Sequence, residues 1–313
     1  MRTTTMRIAT LALLTTVLVS PALAADLDYG VLRGYDDDYP APAPIIDWSG
    51  FYVGGHGGYS SASMGFTNVF SKPYSQYFRA RDIETEFGIS SLLSFASQRV
   101  HGITYGAFAS YNIQLDDAVF GIEVDYTSFS KSGMSYSEIS RFVTTKNNMF
   151  ETVNLRGFSR TELEDFGTIR GRAGYAFGSF LPFVTAGLAI GRATILDQPE
   201  VQNYGYDATA AAAYQTNPKA GAPVTHHGYA NGNTAFDPSA PQDPQKSIPD
   251  GFYQIPAKPK SKAMAGVALG AGLEYAITPN FLLRGEYQYV LFDDFDGHKI
   301  NVNTVRGGAA IKF

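Results

Sequence analysis

The histidines and the charges at the centres of the apolar segments are the residues of this chain best suited to chemistry. There is no cysteine for thiol, disulfide or metal-thiolate work. The sequence has five histidines. His226 and His227 are adjacent, in a stretch of Gly, Ala, Pro and Asn. Neighbouring imidazoles could ligate haem iron or Zn²⁺. No carboxylate or thiol stands at ligand spacing beside them, so solvated side chains are expected. His298 with Asp293, Asp294 and Asp296 is the only grouping that resembles the acid–imidazole part of a hydrolase. Acidic residues in a short connection serve solubility, so the chain does not read as an enzyme. Gly54-Gly55-His56-Gly57-Gly58 lacks the strand–turn–helix setting of a phosphate cradle. Glycines on a strand mark bends or close packing instead. His56 falls on the interior face of its segment and is expected to be a satisfied interior histidine. His101 and His298 lie near segment ends. No cofactor and no metal are expected.

The mid-segment charges follow a stricter rule. From Trp48 onward eight segments alternate with period two. They run about Phe51–Ala62, Gly102–Leu115, Val119–Ser128, Asp165–Phe177, Leu181–Leu196, Met264–Ile277, Phe281–Leu291 and Val302–Phe313. In the third, Phe120, Ile122, Val124 and Tyr126 oppose Glu123 and Asp125. In the fourth, Ile169, Ala173 and Tyr175 oppose Arg170 and Arg172. In the sixth, Val267, Leu269, Leu273 and Tyr275 oppose Glu274. Leu283, Tyr287, Tyr289 and Leu291 oppose Arg284, Glu286 and Gln288 in the seventh. In the eighth, Val305, Ala309, Ile311 and Phe313 oppose Arg306 and Lys312.

The connections between these segments alternate in length. Asp116-Asp117, Gly178-Ser179 and Thr278-Pro279-Asn280 are hairpin turns. The other connections are long, about 63–101, 129–164, 197–263 and 292–301. Short turns on one side and long loops on the other are the pattern of transmembrane barrels, whose strands face lipid with apolar residues and the lumen with polar ones. The expected fold is therefore all-β: an eight-stranded antiparallel up-and-down transmembrane β-barrel with long extracellular loops. Turn centres pair Glu274 with Arg284, Glu123 with Ser110, Asp125 with Phe108, Arg172 with Thr185 and Arg170 with Gly187, and these pairs put charge inside on both strands. Glu123, Asp125, Glu274 and Glu286 then meet Arg170, Arg172, Arg284 and Arg306 in a lumen only wide enough for side chains. Buried charges need partners. An internal salt-bridge network is expected, with Glu274–Arg284 and Glu286–Arg306 as neighbours.

The beginning of the chain reads as an export signal over residues 1–24. Arg2 and Arg7 precede an apolar run from Ile8 to Val19, and Pro21-Ala22-Leu23-Ala24 offers a cleavage site. Residues 25–47 read as an acidic, Pro-rich periplasmic linker, with Asp36-Asp37-Asp38 and Pro40-Ala41-Pro42-Ala43-Pro44. The barrel occupies 48–313. A net charge of −5 argues against nucleic acid as a partner. The Ala, Gly, Pro, Asn and Tyr of 197–263 favour disorder or outside contacts.

Three stretches together resemble a known family. Asp47-Trp48-Ser49-Gly50-Phe51-Tyr52-Val53-Gly54-Gly55 opens the first segment. Gly167-Thr168-Ile169-Arg170-Gly171-Arg172-Ala173-Gly174-Tyr175 lies in the fourth. Glu286-Tyr287-Gln288-Tyr289 and the final Phe313 close the chain. The sequence is similar to the small alphaproteobacterial outer-membrane β-barrel proteins, often labelled porin-like. The resemblance implies an outer-membrane location beside lipid and lipopolysaccharide. It also implies insertion by the barrel-assembly machinery, which reads a terminal strand ending in an aromatic, here Phe313. Some members of that family are similar to haem-binding surface proteins, and others are structural proteins or antigens. The expected role is structural and surface-interacting, with the lumen filled by its own ion pairs. A narrow porin-like channel is the first alternative. A haem or small-ligand surface receptor using His226 and His227 is the second.

Overall fold

A computed structural model describes residues 46–217, 224–230 and 248–313. The export signal (1–24) and nearly all of the linker (25–47) lie outside the described residues. Eight strands run β1 Gly50–Phe66, β2 Gln98–Leu115, β3 Ala118–Thr144, β4 Met149–Tyr175, β5 Phe180–Asp207, β6 Lys260–Thr278, β7 Phe281–Phe292 and β8 His298–Lys312. Each pairs antiparallel with its neighbour in sequence, and β8 returns to β1 to close the ring. In the lower ring every strand is paired on both sides, and a strand crossing hydrocarbon cannot tolerate an unpaired edge.

The short turns set the register. Asp116 at φ 53° and Gly178 at φ 58° adopt the left-handed conformation that tight turns need. Glu123 then lies opposite Ser110, Asp125 opposite Phe108, Arg172 opposite Thr185, and Glu274 opposite Arg284. These are the pairs that the turn centres imply. Alternation points Ile122, Val124, Ile169, Leu188, Leu269, Leu283 and Val305 outward, all more than 40 % exposed, as an apolar belt. Such a belt would drive aggregation in water and is at home in hydrocarbon.

The stretch 129–164 is not an irregular loop. β3 and β4 continue through it as a paired hairpin, from Lys131↔Leu163 to Thr144↔Phe150. At about 3.3 Å per residue, the 27-residue β3 runs about 90 Å along its own axis, far beyond an apolar band about 25 Å tall. The 12-residue β7 runs only about 40 Å. The wall formed by β3, β4 and β5 is thus much taller than the wall formed by β6, β7 and β8. The sequence pattern hid the extension because Ser132, Ser135, Ser137 and Ser140 break the apolar alternation there. Backbone pairing between β3 and β4, and between β4 and β5, continues there without needing an apolar outer face. Register shifts at Ser128/Lys131 and Leu163/Asp165 mark where the two parts meet.

β4 changes its pattern at that shift. Below it, Arg170 and Arg172 point in and Ile169 points out. Above it, Val153, Leu155 and Leu163 point in, while Arg156, Arg160 and Glu162 stand outside. On β4 the lower half is polar inside and apolar outside, whereas the upper half buries Val153, Leu155 and Leu163 beside Ser159 and Thr161 and sets charges outside.

The 67–97 connection fills the upper half. Helices α1 (Ser71–Tyr77) and α2 (Asp82–Phe87) fold into the tall mouth. Phe70, Tyr74, Phe78, Ile83 and Ile89 pack against Phe66, Val153, Leu155, Val201 and Ile300 in one apolar cluster. Tyr74 is fully buried, and its hydroxyl donates to the carbonyl oxygens of Arg156 (2.9 Å) and Glu200 (3.2 Å), pinning α1 to β4 and β5. Burial pushes that phenol well above its ordinary pKa. A smaller apolar cluster closes the short-turn end, where Trp48 and Ile46 meet Tyr52, Phe108, Val119, Leu181 and Leu282. The Trp48 backbone N–H donates to the Gln114 side chain at 2.7 Å, and the Tyr52 hydroxyl donates to the Trp48 carbonyl at 2.9 Å.

The described residues of the 197–263 stretch are also more regular than its composition implies. β5 extends to Asp207, whose side chain accepts from the Ala210 N–H at 2.9 Å and caps α3 (Ala208–Thr216). His226-His227 pair with β5 at Gly205 and Tyr206, and Tyr253-Gln254 pair with it at Glu200 and Val201.

Strand curvature brings backbones close at inward glycines. A Cβ on Gly106 would stand 1.8 Å from the Tyr126 carbonyl oxygen, whereas one on Gly285 would meet nothing within 4 Å. Gly106→Ala is expected to lower stability by about 1–3 kcal/mol, as overpacking does. Gly285→Ala should change it little. Urea unfolding of the refolded protein in lipid vesicles measures both, and equal midpoints would refute the close-approach account.

Candidate functional site in the lumen and at the outer mouth

The middle of the lumen collects charge from six strands. β1 supplies His56, β3 Glu123 and Asp125, β4 Arg170 and Arg172, β6 Glu274, β7 Arg284 and Glu286, and β8 Arg306. All are buried, with Glu123 and Arg170 at 0 % exposure. Arg170 donates to Glu123 and to Glu286 Oε1 (2.5 Å). Arg284 holds both Glu123 oxygens, at 2.5 and 2.9 Å, and reaches Glu286 at 2.9 Å. Arg172 grips Glu274 with two bonds of 3.0 and 2.8 Å. Arg306 donates to Glu286 from Nε (2.9 Å) and Nη2 (2.8 Å), and also to Asp125. Bidentate guanidinium–carboxylate pairs of this kind are strong and directional.

The hairpin neighbours are only part of this pattern. Glu286 and Arg306 lie at 2.8 Å, but Glu274 and Arg284 are 3.8 Å apart, and Glu274 binds Arg172 more closely. Cross-lumen contacts compete with hairpin contacts because the interior is so narrow. His56 joins the group, with its Nε2 3.2 Å from Asp125. It is not fully satisfied, since Nδ1 has no hydrogen-bond partner among the described residues. Phe108 and Phe183 are members that charge counting misses. The Arg284 guanidinium lies 4.6 Å from each ring centre, and Arg172 lies 4.5 Å from Phe183. Phe108 sits opposite Asp125 in the register, so alternation alone places it inside.

At the outer mouth His298 is fully buried. Its Nδ1 lies 2.7 Å from the Thr161 hydroxyl and its Nε2 3.2 Å from Asp197, which also accepts from Ser159 at 2.6 Å. The acid facing His298 therefore comes from β5 and not from Asp293, Asp294 or Asp296. Asp294 caps its own turn at the Gly297 N–H (2.9 Å), and Asp296 pairs with Lys262 (3.2 Å). Thr161 is 0 % exposed, so the hydroxyl–imidazole–carboxylate line ties β4, β5 and β8 together beneath the cap.

His226 and His227 diverge. They are consecutive on a strand, so their side chains leave opposite faces and cannot grip one ion from the same side. His226 Nδ1 lies 2.7 Å from the Val224 carbonyl, and His227 Nε2 lies 2.8 Å from Glu151. The acidic neighbour that sequence spacing lacks arrives from β4. Among the described residues no three His, Cys, Asp or Glu side chains converge to hold a metal. Phe313 is 74 % exposed, with its N–H donating to the Phe51 carbonyl at 2.9 Å. His101 stacks on Tyr59 outside the wall, ring centres 6.1 Å apart.

Removing one partner from a buried network strands the others. Glu286→Ala leaves Arg170, Arg284 and Arg306 short of a carboxylate and is expected to cost about 3–5 kcal/mol. Asp117→Ala, whose carboxylate accepts from the exposed Tyr175 hydroxyl, should cost well under about 1 kcal/mol. Equal denaturant midpoints for Glu286→Ala and the unmodified chain would show that the lumen charges are solvated.

Comparison with known proteins agrees with this architecture. The family model described as "Outer membrane protein beta-barrel domain" matches residues 39–313. The "31 kDa outer-membrane immunogenic protein" of Brucella melitensis is 27% identical over 319 aligned positions, covering 98% of this chain and 100% of that one. The "22 kDa outer membrane protein" of Rhizobium leguminosarum bv. viciae is 26% identical over 178 positions, covering 56% of this chain and 60% of that one. Among solved structures, Neisserial surface protein A is similar at a TM-score of 0.35 and 14% identity, covering 85% of this chain and 98% of that one. With a closed ring, a lipid-type belt and a family match over most of its length, this chain belongs to the outer membrane protein beta-barrel family and resides in the bacterial outer membrane.

Proposed function

We propose that this protein is a sealed structural barrel of the cell envelope that works through its raised outer surface, without catalysis and without an open channel. The single observation that carries this reading is the mid-lumen network. Glu123, Arg170, Arg284, Glu286, Arg306 and Asp125 form an unbroken series of contacts across the bore. A pore needs a solvated path, and here guanidinium–carboxylate contacts span the bore. The Trp48 cluster below and the α1 cap above add apolar barriers that ions cross only at high cost. Short turns then face the periplasm and long hairpins face outward, as in other barrels of this architecture. Phe313 stands exposed where the assembly machinery would read it. The tall β3–β5 wall and the cap present the surface available for contacts with lipopolysaccharide and with partners outside.

Planar-bilayer recording of refolded protein decides between seal and channel. No stepwise conductance is expected from the unmodified chain, and reproducible unitary steps would overturn the proposal. Protease treatment of intact cells reads the orientation. Cleavage is expected at the outer turns, around 145–148 and in 208–216. Cuts confined to Asp116-Asp117 and Pro279-Asn280 would reverse the assignment of sides.

A further inference from the structure

The step between the tall and low walls creates a feature that the sealed-lumen reading does not use. β6 begins at Lys260, opposite Ile195 of β5, while β5 continues to Asp207. Beside this step, between α1, β5 and the segment entering β6, lies a cavity of about 1070 Å³. Its lining includes Lys72, Lys258, Lys260 and Lys262, against only two carboxylates, Asp197 and Asp296. The excess of positive charge is local, because the whole chain carries −5.

Both carboxylates are already engaged. Asp197 accepts from Ser159 and faces His298. Asp296 pairs with Lys262 at 3.2 Å. That contact is the main reason its carboxyl is held below the usual aspartate range, and the fields of Lys260 and Lys72 lower it further. Lysines of α1, of the segment before β6 and of β6 itself therefore line one cavity. Lys72, Lys258 and Lys260 have no carboxylate within ion-pair distance among the described residues. Ammoniums that line one cavity repel one another, and a multivalent anion relieves that repulsion.

We propose that this cavity binds a phosphate-bearing anion of sugar-phosphate size, held by Lys72, Lys258 and Lys260. Lysine is a flexible point charge suited to phosphate, and the volume matches the range of small-molecule sites. Ile190, five residues before Ile195 on β5, is lipid-facing and 64 % exposed. The cavity thus stands just above the apolar belt, where phosphorylated saccharide headgroups of the outer leaflet and dissolved phosphate esters are both within reach. The proposal rests on the assignment of the long hairpins to the outside. Bilayer recordings on the same preparation test the seal separately, so failure of one leaves the other readable.

Calorimetric titration of the refolded full chain in detergent tests it with two probes. Inositol hexakisphosphate represents the dissolved source. Lipopolysaccharide, intact or phosphatase-treated, represents the lipid source. The unmodified chain should bind at least one probe, more weakly as salt rises. Lys72→Ala/Lys258→Ala/Lys260→Ala should weaken that binding by about tenfold or more. The matched Arg variant, Lys72→Arg/Lys258→Arg/Lys260→Arg, should keep most of it. A charge-matched control, Arg79→Ala/Arg141→Ala/Lys299→Ala, should bind like the unmodified chain. Circular dichroism should show all variants folded. Intact lipopolysaccharide binding that phosphatase treatment abolishes assigns the lipid headgroup, and binding of inositol hexakisphosphate alone assigns a dissolved anion. No binding of either probe, or equal loss in the control and the Lys→Ala variant, would overturn the site.

Discussion

Charge neutralisation inside a narrow, side-chain-filled bore is the constraint on which the rest of this structure depends. Eight strands enclose just enough space for their own side chains. Every acid placed inside therefore has to meet a base within hydrogen-bonding distance, or the barrel loses several kcal/mol. The pairs cross the bore as well as following the hairpins, so they hold strands that are distant in sequence. Arg170 on β4 reaches Glu286 on β7, and Arg306 on β8 reaches Asp125 on β3. The network thereby fixes the register of the ring from within, while the turns fix it from the end.

Three layers stack along the bore. Trp48 and its neighbours close the bottom, the ion pairs hold the middle, and Phe70, Tyr74 and Phe78 fill the top. The upper layer contains an apolar cluster like the core of a water-soluble protein, with Arg156, Arg160 and Glu162 of β4 on the outer face. Its supporting sheet is continuous with the membrane-spanning strands, so one set of backbone ladders serves two solvents. The buried Tyr74 hydroxyl, bonded to carbonyls of β4 and β5, shows how the cap is fastened to that sheet.

The parts legible in the sequence were those facing lipid. Ile122, Val124, Leu283 and Val305 alternate because hydrocarbon demands it, and Glu123, Arg170 and Glu286 stand out against them. Turn residues such as Gly178 supplied the register. The extended β3–β4 hairpin was hidden because serines outside the membrane carry no apolar period, although the backbone there pairs just as well. The bulge beside Leu163 compounded this by reversing which residues of β4 face inward. The partner of His298 was hidden for another reason: Asp197 stands 101 residues away, and only closure of the ring brings it near. His227 and Glu151 meet by the same kind of long-range pairing.

The reversal of pattern near Leu163 has a mechanical consequence. Just outside it, the Asp165 carboxylate accepts from the Tyr126 hydroxyl and the Arg192 side chain, both at 2.9 Å, on the wall itself. Sinking the barrel by two residues would drag this charged cluster into acyl chains, and raising it would lift Ile190 and its neighbours into water. Either displacement costs more with every ångström. The molecule carries its own waterline, drawn in charge on the outside and in a register shift of the strand beside it. Its depth in the bilayer is thus written into the wall.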